Sequence, residues 1–205
     1  MTAEELRLSQ PGPAGLWRQP LAHRAADLAA ASGPGVRLRE TPRLAMVNLR
    51  VRAGSAEAAR AADALGTVLP AANAVAPATR GAVLWLGPDE LLVVGRDGDA
   101  GDLVEQLTAA CAGGRGSVVD VSAARAGVEV AGERARDVLA KGCSLDLHPR
   151  AFTPGRCAQT LLARANVIVW HLGENLYDGG YRVLTGASFA DYLADWLIDA
   201  SAEFA

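Results

Sequence analysis

Cysteine is scarce in this 205-residue chain, and the three present, Cys111, Cys143 and Cys157, are odd in number and widely spaced. That pattern excludes a disulfide framework. Aromatic residues make up only 5% of the sequence, so the core has to be built from Ala, Leu and Val rather than from large rings. No apolar run reaches the roughly 18 residues of a membrane-spanning helix. The opening MTAEELRLSQPGPAG is acidic and polar and lacks the apolar centre of a secretory signal. A cytoplasmic location and no membrane partner are therefore expected. Surplus positive charge is missing too: 20 Lys and Arg stand against 23 Asp and Glu, for a net charge of −3. Nucleic acid is excluded as the main partner, because neutralising phosphates needs clustered cations. Gly-x-Ser-x-Gly does not occur. Gly113-Gly114-Arg115-Gly116 follows a helical stretch and precedes a strand, the reverse of a dinucleotide fingerprint, and reads as a helix stop and turn.

What is present is a regular succession of short elements. Residues 1–20, rich in Pro and Gly, read as an irregular arm, and Ala22 to Ala31 as a short helix ended by Ser32–Gly35. Leu44 to Val51 alternates as a strand. Ser55 then caps a helix with Glu57 in its first turn, ending at Leu65-Gly66. Thr67–Arg80, with its two prolines, reads as loop. Ala82–Leu86 and Glu90–Val94 form a hairpin across Gly87-Pro88-Asp89, and Leu103, Val104, Leu107 and Cys111 make the apolar stripe of a helix over Gly101–Cys111. Val118–Val121 is a β-branched run, and Ala126, Val128 and Val130 alternate as the next strand. After Gly132 the period lengthens: Ala135, Val138 and Leu139 face inward while Arg134, Arg136, Asp137 and Lys141 face water, with Gly142 as a left-handed stop. Strands follow at Ala158–Ala163, Val167–Trp170 and Tyr181–Leu184. A final helix from about Ser188 carries Phe189, Tyr192, Leu193, Trp196 and Leu197 on one face.

This succession repeats. GAVLWLGPDELLVVGRDGDAGDLVEQL from Gly81 is echoed by NVIVWHLGENLYDGGYRVLTGASFADYLADWL from Asn166. Both place a Trp in an apolar strand, then Leu-Gly, an acidic turn, a second strand and a helix. The pattern predicts an α+β fold of two pseudo-repeated split βαβ-type units with antiparallel sheets. The expected organisation is an arm over 1–20, a first unit over 21–115 and a second over 116–205.

Chemistry is harder to find than architecture. Cys143, His148 and Cys157, with Asp146 between them, have none of the tight pairs of a zinc site. Cys143 follows a helix C-terminus, where the dipole disfavours a thiolate, so pairing it with His148, His171 or His23 as a nucleophile has little support. Cys111 belongs to an apolar helical face. Glu129 falls on the polar side of an alternating strand and Asp137 on the wet side of a helix, so both read as solvated. Asp120 stands within a β-branched run, where Ser122 or Arg125 can bond it. Trp85, Trp170 and Trp196 read as core packing. No catalytic, cofactor-binding or metal-ligating residue is assigned.

One stretch is distinctive. Lys141-Gly142-Cys143, Leu145-Asp146-Leu147-His148-Pro149, Phe152, Pro154-Gly155, Cys157-Ala158-Gln159-Thr160 and Ser188-Phe189-Ala190-Asp191-Tyr192-Leu193, with the earlier Pro20-Leu21-Ala22-His23, resemble the gamma subunit of heterotetrameric sarcosine oxidase. The resemblance spans nearly the whole chain. It implies a fold similar to the folate-binding aminomethyltransferase of glycine cleavage, and a role as a structural subunit beside alpha, beta and delta subunits. The assembly demethylates sarcosine oxidatively to glycine, giving peroxide and a one-carbon unit. The resemblance also implies that FAD, FMN, NAD and zinc belong to those other subunits and no cofactor to this chain. One departure stands out. The aminomethyltransferase carries an acidic pair before its Leu-Gly hairpin, whereas the comparable places here read Arg80-Gly81-Ala82-Val83 and Arg164-Ala165-Asn166-Val167. Without that carboxylate, chemistry on folate has no evident acid–base group. A stand-alone folate-binding one-carbon transferase is the competing reading, and a channel element lined by the Cys143–Cys157 loop a third. Both loop and arm are candidate partner surfaces.

Overall fold

Local signals account for most of the element boundaries in the computed structural model, which describes residues 18–173 and 180–204. The Ser55 hydroxyl accepts the Ala58 amide at 3.2 Å and opens α2 (Ala56–Leu65), with Gly66 as its left-handed cap. The apolar stripe predicted between Leu103 and Cys111 lies on α3 (Ala100–Cys111), where Leu103, Leu107 and Cys111 are buried.

The chain folds into two units. One consists of residues 42–123, the other of residues 18–41 together with 124–204. The first contains β2 (Leu44–Arg50), β3 (Val75–Ala78), β4 (Gly81–Gly87), β5 (Glu90–Arg96) and β6 (Ser117–Asp120), in the antiparallel order β3-β4-β5-β2-β6. Helices α2 and α3 pack one face of this sheet, burying Val47, Leu49, Val83 and Val93 with Ala61, Leu65, Leu103 and Leu107. The second contains β1 (Arg37–Glu40), β7 (Arg125–Ala131), β8 (Cys157–Leu162), β9 (Ala165–His171) and β10 (Gly180–Gly186), in the antiparallel order β1-β7-β10-β9-β8. Its core joins Val128, Val130, Val167 and Val169 to Leu28 of α1 (Ala25–Ala30), Leu139 of α4 (Ala135–Ala140) and Leu193 of α5 (Ala190–Ser201). The predicted α+β class with two antiparallel sheets is what the structure has.

The outer strands are exchanged. β1 precedes β2 in the chain yet pairs with β7, and β6 precedes β7 yet pairs with β2. Residues 21–41 therefore pack in the second unit and not, as expected from sequence, in the first. Residues 116–123 lie in the first unit and not in the second. Val36, Leu38, Leu21 and Leu28 all bury in the second core, and that burial, not adjacency along the chain, decides where the segment goes.

Three local expectations change. The Thr67–Arg80 stretch contains β3, whose Pro77 is tolerated because β3 is an edge strand. Gly142 does not take a left-handed conformation. A Cβ there would lie 2.4 Å from the Trp196 ring, so close packing is what requires glycine. The predicted helix over Ala22–Ala31 is split into a 3₁₀ turn, Ala22–Arg24, followed by α1.

The turn between β8 and β9 holds a strained residue. Ala163 has φ 51°, a conformation that favours glycine, directly after the Leu162–Ala165 pair narrows the hairpin to two residues. Ala163→Gly is expected to raise unfolding stability by about 1 kcal/mol, the order of the left-handed penalty, and urea denaturation would measure it.

Candidate functional site

The residues singled out from sequence do not converge. Cys143 packs into the helix-side core, whereas Cys157 projects from the opposite face of β8 in the row of Trp170, and His148 is at the surface. Asp146 accepts the His148 amide at 2.9 Å, and His148 Nδ1 accepts the Arg150 amide, so these two groups shape the loop itself. Leu147 and Phe152 anchor that loop in the core, and the Gly155 amide donates to the His171 carbonyl. Among the described residues no three His, Cys, Asp or Glu side chains are grouped to hold a metal. All three cysteines are buried and none is in a disulfide, and burial pushes the Cys111 thiol up, away from thiolate.

The remaining candidates are each tied to local structure. Asp120 accepts from both the amide (2.9 Å) and the hydroxyl (2.6 Å) of Ser122. Asp137 bonds Arg134 at 3.1 Å. His23 contacts Asp191 at 2.8 Å in an exposed pair. His171 donates its Nδ1 proton to the Phe152 carbonyl at 2.8 Å, the carbonyl being acceptor only, and its ring stacks on Tyr181 with centroids 4.6 Å apart. Burial holds the Tyr181 phenol above its ordinary range, opposed by the nearby Arg136 charge.

Glu129 corrects the sequence reading. It is not solvated but 3% exposed, at the centre of β7. Strand register explains its partners: Arg39 of β1 and Arg182 of β10 are its cross-strand neighbours, and Trp170 of β9 stands opposite Arg182. Arg39 donates through Nε (2.6 Å) and Nη2 (2.5 Å) to Oε2, and Arg182 through Nη2 to Oε1 at 2.7 Å. The Arg182 guanidinium, 2% exposed, lies over the Trp170 ring at 5.0 Å, a cation–π arrangement. Both carboxylate oxygens are thus engaged by guanidinium groups. The row was missed because an alternating pattern fixes which face a residue takes but not whether that face is covered. A usable signal existed, an acid and a base each set within an apolar strand run.

Trp85 and Trp170, equivalent in the sequence repeat, differ in orientation. Trp85 packs against the helix-side cluster of its unit, while Trp170 takes the opposite face and meets Arg182. The repeat conserves chain order, not side-chain role.

In the two stretches compared with the aminomethyltransferase, Arg80–Val83 and Arg164–Val167, the second residue is closely packed. A Cβ on Gly81 would lie 1.9 Å from the Val94 carbonyl oxygen, and Ala165 is completely buried in the helix-side core. Beside them, Arg80 bonds Asp102 at 2.7 Å.

Comparison with known proteins agrees with this architecture. The model of the sarcosine oxidase, gamma subunit family matches residues 51–203. Sarcosine oxidase subunit gamma of Arthrobacter sp is 44% identical over 193 residues, covering 93% of this chain and 92% of that one. A chain of the heterotetrameric sarcosine oxidase from Corynebacterium sp. U-96, solved with pyrrole 2-carboxylate, superposes with a TM-score of 0.85 at 41% identity, over 93% of this chain and 97% of that one. The glycine cleavage aminomethyltransferase T of Bartonella henselae superposes at 0.60 with 14% identity, over 85% of this chain and 48% of that one, a likeness of fold alone. The chain therefore belongs to the sarcosine oxidase gamma subunit family.

Proposed function

We infer that this chain is a structural, non-catalytic subunit of a heterotetrameric sarcosine oxidase, assembling with alpha, beta and delta subunits in the cytoplasm. The observation that carries the reading is the near end-to-end match to a chain of the Corynebacterium enzyme. The side chains support it. Glu129 has both oxygens occupied, and the cysteines and histidines are held apart or tied to the backbone. FAD, FMN, NAD and zinc are assigned to the other subunits, and oxidation of sarcosine to glycine with them. Gly81, where a Cβ would collide with the Val94 carbonyl, and Ala165, whose methyl is fully buried, argue against folate chemistry in this chain.

Two readings separate in one preparation. The purified full-length chain is expected to show no flavin absorbance and no heat of binding with tetrahydrofolate. Low-micromolar tetrahydrofolate binding would replace the structural reading with that of a folate protein.

A further inference from the structure

The two edges of the first unit's sheet, β3 and β6, are treated differently. The Trp85 amide donates to the Ala74 carbonyl, and antiparallel bonding alternates along a strand, so residue 77 of β3 faces outward. Pro77 stands there and offers no N–H to an added strand. β6 contains neither proline nor lysine. The Val121 amide donates to the Met46 carbonyl at 2.8 Å, which fixes the same alternation in β6. Ser117 and Val119 bond β2, while Val118 and Asp120 turn their N–H and C=O groups away from it. Among the described residues nothing bonds those two donors and two acceptors. Ser117, Val119 and Asp120 are exposed, and Val119 leaves 50% of its surface in water. Charge gathers at one end of this edge. Arg52 and Arg115 each lie two residues beyond the last β2–β6 pair, Arg50–Ser117, and both are exposed. Arg50 is held by Glu90 at 2.9 Å and by Asp89, but Arg52 and Arg115 make no ion pair among the described residues. Glu57 spends its carboxylate on the amides of Glu57 and Arg115 and on the Ser55 hydroxyl.

We propose that the outward edge of β6 takes an added β-strand from a partner subunit, one that brings a carboxylate beside Arg52 and Arg115. The proposal rests on the reading of this chain as a subunit of a larger assembly and says where a partner docks. A row of main-chain donors and acceptors at strand spacing fits one kind of ligand, an extended backbone with the same repeat. Charge sets which way that strand is placed: its acid belongs at the Arg115 end, away from Asp120. Val119 then gains a side-chain neighbour on the added strand, the kind of cross-strand contact that stabilises sheets.

The test is a competition within the assembly. Wild-type chain and a variant are co-expressed in equal amounts with the alpha, beta and delta subunits, and their ratio in the purified complex is read by mass spectrometry. Val118→Pro removes an outward N–H and leaves the bonds to β2 in place, as edge strands tolerate. Circular dichroism of the isolated variant checks that it folds. Wild type is expected to be favoured over it about tenfold, through one lost hydrogen bond and a hindered approach. The charge-reversed variant, Arg52→Glu with Arg115→Glu, changes two exposed positions and is expected to be disfavoured as well. If Val118→Pro does not fold, the charge-reversed variant decides alone: its exclusion supports the proposal and its parity with wild type overturns it. Parity of a folded Val118→Pro chain with wild type would overturn it too. So would a homodimer of the isolated chain that Val118→Pro abolishes while the complex forms at parity, since the edge would then belong to a second copy. A wild-type chain that enters no complex at all would overturn the subunit reading itself, and the proposal with it.

Discussion

Replacing Glu129 with alanine is expected to lower stability by about 3–5 kcal/mol, the cost of leaving a buried charge without its partner. In a chain of this size that corresponds to a fall in Tm of about 10 °C. The loss would not measure the worth of the ion pair itself, since pairing in a buried place roughly repays desolvation and little more. It would measure the isolation of Arg182, which is 2% exposed and has Glu129 as its one carboxylate contact among the described residues. The double variant Glu129→Leu with Arg182→Met is therefore expected to recover most of the lost stability, because apolar side chains of similar volume cost nothing to desolvate. Arg39→Ala should cost far less, about 1 kcal/mol, since Arg39 is partly in water and Glu129 keeps Arg182. Urea denaturation of the four proteins gives the comparison. Equal losses for Glu129→Ala and the double variant would refute the account of a stranded charge.

A fragment of residues 116–205, the second half as the sequence repeat divides it, is expected not to fold cooperatively. It lacks β1, so β7 loses its outer partner along its whole paired length, and Glu129 loses Arg39. It also lacks Leu21, Leu28, Val36 and Leu38, all buried in the second core. Fully burying side chains of this kind contributes about 1.5–3 kcal/mol each. Four such losses come to about 6–12 kcal/mol, comparable with the roughly 5–15 kcal/mol that holds a typical domain together. The fragment meanwhile carries β6, an exposed strand whose partner β2 is absent. Mixing it with residues 1–115 should restore a cooperative transition, since the two pieces together hold every strand. Circular dichroism during thermal unfolding would follow both. A sharp transition in the isolated fragment would contradict the exchanged-strand topology.

Much of this molecule was legible in its sequence, and the failures share a cause. Helix ends were readable because caps are local: Ser55 bonds the Ala58 amide a turn away, and Gly66 takes a backbone conformation that suits glycine. The α+β class was readable because hydrophobic period is local too. β1 left little mark, because Arg37-Leu38-Arg39-Glu40 buries a single side chain fully and owes its conformation to β7, distant in sequence. The exchange of β1 and β6 follows from that pairing, so a boundary drawn from the repeat was bound to fall at the wrong place. Glu129 failed for a related reason. Alternation placed it correctly on the face opposite Val128 and Val130, but the charges that meet it come from residues 90 positions before and 53 positions after. The motif-bearing loop from Cys143 to Cys157 was legible in another sense. Its residues identify a family, while its geometry is explained by Leu147 and Phe152 in the core and by backbone bonds to His171.

Assembly is where the functional account is most exposed. Co-expression of this chain with the alpha, beta and delta subunits of the same sarcosine oxidase, followed by native mass spectrometry of the purified complex, tests it directly. The account predicts one copy of each subunit, flavin bound to the assembly, and loss of the intact complex when this chain is omitted. A fully formed, fully active complex of the other three, with this chain recovered separately as a free protein, would contradict it.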